Sequence, residues 1–143
     1  MKEITTQSIA QSLENILGRM VKITQNEPVE VRSCPIVTPN IAILFAHGAT
    51  KNLELHDVIV LIDVVQNIAQ QDISTKIKMY ASAGFEAFWL VDTATQMVKV
   101  HRYPRSGKYF FERDYTIGEA ITLESLNSAV KVDVLMRNDK MSE

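Results

Sequence analysis

Cysteine, long apolar runs and surplus positive charge are what this 143-residue chain has least of. Cys34 is the single cysteine, so no disulfide can form within the chain and a reducing compartment fits. It lies in Val-Arg-Ser-Cys-Pro-Ile, with no helix start or basic cluster to activate a thiolate, and reads as an inert thiol. No apolar window approaches the roughly 18 residues of a membrane span. The opening Met-Lys-Glu-Ile-Thr-Thr carries no apolar signal core, so a cytoplasmic location is expected. Lysine and arginine number 15 against 17 acidic residues, a net charge of -2 that argues against tight nonspecific DNA binding by the chain as a whole. His47, His56 and His101 have no metal-ligand spacing and read as surface or loop histidines. A Gly-rich phosphate loop, a nucleophile elbow, repeats and low-complexity linkers are also missing.

What is present fits one globular α/β domain, expected over 1–136 with a polar tail at 137–143. Hydrophobic residues make up 46% and charged residues 22%, ordinary for a chain with a proper core. Ile9, Leu13, Ile16, Leu17 and Met20 recur at helical spacing and predict an amphipathic helix from Thr5 to Met20. Val29 to Ser33 and Ile41 to Phe45 read as short strands, and Ala46 to His56 as a polar loop. Val58 to Val65 is apolar and β-branched except at Asp63, the pattern of a strand buried on both faces. A helix capped by Asp72 should run through Ala83 and stop on Gly84, with Ile73, Ile77, Tyr80 and Ala81 inward. Ala87 to Val91 follows as a buried strand, completing a parallel strand-helix-strand crossover. Met97 to Tyr103 and Lys108 to Arg113 form a hairpin around a turn at Pro104 to Gly107, and Ala120 to Leu123 and Val130 to Leu135 are further strand candidates.

Asp63 is the residue that packing does not explain. A carboxylate inside an apolar strand is costly to bury unless it is paired, hydrogen-bonded or bound to a cation. A strand carboxylate, an oxygen ligand on a neighbouring strand and a nearby lysine form a common magnesium nuclease arrangement. Asn40 opens the neighbouring strand, and Lys76 lies on the first turns of the following helix. Asp72 and Lys76, four apart, could also pair with each other.

The run Asp72-x-x-x-Lys76-x-x-x-Tyr80-x-x-x-Gly84-x-x-x-Phe88-Trp89-Leu-Val-Asp92, following Asp63-Val-Val-Gln-Asn, resembles the Uma-type restriction-endonuclease-like domains of the PD-(D/E)XK nuclease superfamily. The resemblance covers roughly Pro39 to Leu135. It implies a restriction-endonuclease-like mixed β-sheet with flanking helices, and magnesium-dependent cleavage of DNA. Carried over by position, the metal ligands are Asp63 and Asn40, and the catalytic pair is Asp63 and Lys76. The family pattern has Asp where this chain has Asn40, and Glu where it has Asp63. It also has Ser-Pro-Ser-Thr after that Glu, which is missing here. These departures read as a trimmed copy with a degenerate site, which makes a non-catalytic binding or assembly module the alternative. Lys99, Arg102, Arg105 and Lys108 on the hairpin are the candidates for phosphate contacts. A homodimer is expected by analogy with such folds. Tyr80, Phe88 and Trp89 read as packing residues.

Overall fold

The computed structural model describes residues 4–46 and 51–137. Helix α1 spans Thr6–Leu17, and Thr5 caps it by accepting the Ser8 N–H at 3.0 Å, while the Ser8 hydroxyl answers onto the Thr5 N–H at 2.8 Å. The strands are β1 Val21–Gln25, β2 Ile41–Phe45, β3 Val58–Val65, β4 Ala87–Asp92, β5 Met97–Arg105 and β6 Lys108–Thr116, joined in that order into one sheet. Only β3 and β4 are parallel, and helix α2 (Ser74–Ala83) connects them as the crossover. β7 (Ala120–Leu123) and β8 (Ser128–Lys131) form a separate ribbon, and the four-residue α3 covers Val132–Leu135.

Two cores follow from the period-2 alternation of β2 to β5. One face presents Ile41, Ile43, Val60, Ile62, Trp89 and Val100 to Ile9, Leu13 and Leu17 of α1 and to Val130 and Leu135. The other presents Ala42, Leu44, Leu61, Phe88 and Leu90 to Tyr80, Phe85 and the segment carrying Val29, Val31 and Val37. Asp63 lies two residues beyond Leu61, and Asn40 two before Ala42, so both belong to this second face.

Several expectations need correction. β1 was not anticipated, although Val21 and Ile23 alternate with Lys22 and Thr24. Val29 to Ser33 makes only isolated bridges, Val29 to Val37 and Val31 to Leu53; Ser33 turns the chain at φ 64°, and Pro35 follows. The hairpin turn is two residues, not four. Ser106 and Gly107 both have positive φ, 54° and 77°, as the tightest hairpins require. Pro104 therefore sits within β5, opposite Tyr109; β4 pairs with β5 only as far as Arg102, so no strand is deprived of a donor there. Val132 to Leu135 is helical rather than extended, because Val132, Leu135 and Met136 bury at helical spacing. Asp72 is one residue too early to cap α2: Ile73 holds that position, and Asp72 instead accepts from Ser74 N–H at 3.3 Å and Oγ at 2.8 Å. His47 lies outside the described residues, as does the tail beyond Arg137. Among the described residues no helix is long and apolar enough to cross a membrane.

Gly84 ends α2 at φ 93°, and a Cβ built there would lie 3.1 Å from Leu55 Cδ1. Gly84→Ala should destabilise the protein by about 1–2 kcal/mol, read from urea unfolding midpoints.

Candidate functional site

Asn40, Asp63 and Lys76 come together at one end of the sheet, from three separate elements. Asp63 is 6% exposed, beneath Lys76, whose side chain keeps 43% of its surface open. The Lys76 ammonium is ion-paired and hydrogen-bonded to Asp63 Oδ2. The Asn40 backbone N–H donates to Asp63 Oδ1 at 3.3 Å. Lys76 thus takes Asp63 as its partner, and the alternative pair with Asp72 is not formed.

The Asn40 side chain is turned to the backbone. Its Oδ1 accepts the Val64 N–H at 2.8 Å, and its Nδ2 donates to Asn26 Oδ1 at 3.2 Å. The Asn26 N–H returns a bond to the Asn40 carbonyl at 2.9 Å. Asn40 therefore ties the start of β2 to β3 and to the end of β1, a service an amide performs with both of its ends.

Magnesium wants several oxygen ligands in near-octahedral array. Here there is one carboxylate; one of its oxygens is on an ammonium and the other on an amide N–H. The Asn40 oxygen is already on a backbone donor. Among the described residues no group of three or more His, Cys, Asp or Glu is placed to hold a metal. The donor set has the right element and the wrong number and charge, so the residues present do not fit the ion as they stand.

Tyr80 lies one helical turn beyond Lys76, 2% exposed and edge-on to Phe85 and Phe88. Burial pushes its phenol far above the ordinary range, and the Asp63 charge adds to this. Asp92, unnoticed in the sequence except as the end of a motif, anchors the loops at this end of the sheet. It is 1% exposed and accepts from Ile68 N–H at 2.8 Å, Ala94 N–H at 3.0 Å and Thr95 N–H at 3.2 Å. Its signal was a second carboxylate closing a buried strand, the same oddity that marked Asp63.

The four basic hairpin residues are not gathered on one surface. Lys99 shares the Asp63 face and is held between Glu112 at 3.1 Å and Asp114 at 2.9 Å. Arg102 alternates to the opposite face, where it pairs with Glu124 at 2.9 Å. Arg105 stacks on Phe110, 5.3 Å from the ring centroid, and Lys108 begins β6. His101, read from sequence as a surface histidine, is 2% exposed: as an inward residue of β5 it stacks on Phe88.

No protein-family model and no curated protein matches the chain. Among solved structures it is similar to a "putative nuclease belonging to DUF820" from Anabaena variabilis. The TM-score is 0.65 over 95% of this chain and 82% of that one, at 14% identity. At that identity the likeness speaks for the fold, which is restriction-endonuclease-like.

Proposed function

We propose that this is a nuclease-fold protein of the Uma-type group that engages DNA at the Asn40–Asp63–Lys76 end of its sheet, its phosphodiester-cleaving centre nearly silent. The observation that carries the reading is the meeting of those three residues where the resemblance puts a nuclease site, with the Asp63 carboxylate and the Asn40 amide oxygen already engaged. The Lys76 side chain keeps 43% of its surface open, so its charge is within reach of a phosphate from solvent. A working magnesium-dependent DNA endonuclease is the second reading. It is favoured by the exposure of Lys76: a swing of that side chain into solvent would free Asp63 Oδ2, leaving Asp63 and Asn40 to hold the ion and Lys76 to assist.

Nicking of supercoiled plasmid with magnesium or manganese separates the two. The wild-type protein should nick no faster than Asp63→Ala, while duplex DNA should bind with salt-dependent affinity that Lys76→Ala weakens. Metal-dependent nicking that Asp63→Ala abolishes would establish the second reading, and absence of DNA binding would remove both.

Asn40→Asp should restore part of the missing charge. One aspartate oxygen would keep the Val64 N–H, and the other, unable to donate to Asn26, would be left for a cation. Manganese affinity, measured by calorimetric titration, should rise by about tenfold or more.

A further inference from the structure

A groove of about 610 Å³ runs between α2 and the β5–β6 hairpin. Ser74, Ile77 and Lys78 form one wall, and His101, Lys108 and Glu112 belong to the other. It shares a sheet face with Asp63 but lies across α2 from it, over β5 and β6.

His101 is the unexplained group in this groove. Its ring is sandwiched between Phe88 and Tyr109, with centroids at 5.6 and 5.8 Å. The Phe88 carbonyl can only accept, so Nδ1, 3.2 Å away, carries the proton and donates to it. Burial holds the imidazole below its ordinary pKa; the Phe88 bond and the charges of Glu112 and Asp114 pull upward and that of Lys99 downward, with the net shift still down. The neutral ring then leaves Nε2 as an acceptor, and it has no hydrogen-bond partner among the described residues. A buried acceptor without a donor is uncommon and calls for one.

The second observation is charge. Glu112 is already matched by Lys99. Lys78 and Lys108, both exposed, have no acidic partner among the described residues. They stand at the same end of the groove, since the Lys78 stem lies 3.8 Å from where a Gly107 Cβ would be, next to Lys108. Along β6, Lys108 is four residues from Glu112, which pairs with His101. That is about 13 Å of strand, of which a lysine side chain spans roughly half. We infer that this groove is a binding site for a small sugar phosphate, its phosphate between Lys78 and Lys108 and a hydroxyl donating to His101 Nε2.

The test is calorimetric titration of the full chain with ribose 5-phosphate, alongside nitrogen-15 imidazole spectra. Saturable binding is expected, with the Nε2 resonance of His101 moving and the Nδ1 resonance staying near its free position. Ribose alone and inorganic phosphate alone should each bind about tenfold more weakly or worse. The surface double variant Lys78→Ala/Lys108→Ala should lose about tenfold or more in affinity without a change in thermal midpoint. The inference is overturned if Nε2 carries the proton in the free protein. It is equally overturned if Nε2 does not respond to ligand, if inorganic phosphate binds as tightly as the sugar phosphate, or if the double variant binds like wild type.

Discussion

Lys76→Met should destabilise the protein by about 1–3 kcal/mol, and a second substitution at Asp63 should recover most of that loss. Removing one partner of a buried ion pair leaves a charge with nothing to offset its desolvation, typically about 3–5 kcal/mol. Here the lysine side chain is 43% exposed, so part of the pair is already screened by water and the figure shrinks. In Lys76→Met the Asp63 carboxylate keeps only the Asn40 N–H. In Asp63→Asn/Lys76→Met the buried charge is gone, and an amide oxygen still accepts from Asn40. Urea unfolding of the two single variants and the double would give a coupling energy of about 1 kcal/mol or more. Additive losses would mean that the ammonium contributes only its packing, and that Asp63 is held by the backbone.

Asp92→Ala should cost more, about 3–4 kcal/mol, because three backbone donors lose one acceptor together. Asp92→Asn should fall between, since its amide oxygen can keep the Ala94–Thr95 turn but not all three bonds. The effect is linked to pH. Burial alone would raise the Asp92 pKa, but the N–H groups of Ile68, Thr95 and Ala94 together outweigh it and hold the carboxyl below its usual range. A carboxyl depressed in the folded state contributes stability that is complete above its unfolded value of about 3.9 and is lost as pH falls through the folded value. Thermal midpoints of wild type should therefore drop below about pH 4 more steeply than those of Asp92→Asn. Because Ile68 belongs to the segment leading into α2, the same substitution should loosen the approach to Lys76.

The crossover was legible because its cues agree. Val58 to Val65 is too apolar for anything but a central strand, α2 ends on a glycine that alone tolerates φ 93°, and the aromatic strand follows at once. The site was legible as a set of residues but not as a geometry. Asp63 stood out as a carboxylate inside an apolar strand and the family resemblance set Asn40 and Lys76 beside it, while the fact that Asn40 spends its amide on Val64 and Asn26 depends on a β1 that five modest residues barely announce. The short carboxy-terminal helix was missed for a related reason: Val130 to Leu135 is β-branched enough to resemble a strand, and only docking beside α1 decides its period. His101 was invisible, since alternation in β5 gives which face a residue takes but not that aromatic rings will close over it.

β6 has a consequence for how copies of this protein meet. It is the last strand of the sheet, nine residues long, and among the described residues no strand lies beside its outer row of backbone groups. Such a border invites another chain to add on. Glu112 is its middle residue, so a second copy laid antiparallel about it would set the two Glu112 carboxylates face to face. Concentrated solutions should for that reason resist fibrous growth along this border. Neutralising it with Glu112→Val/Asp114→Val should make the protein prone to cross-β association, seen as thioflavin fluorescence that the parent chain lacks.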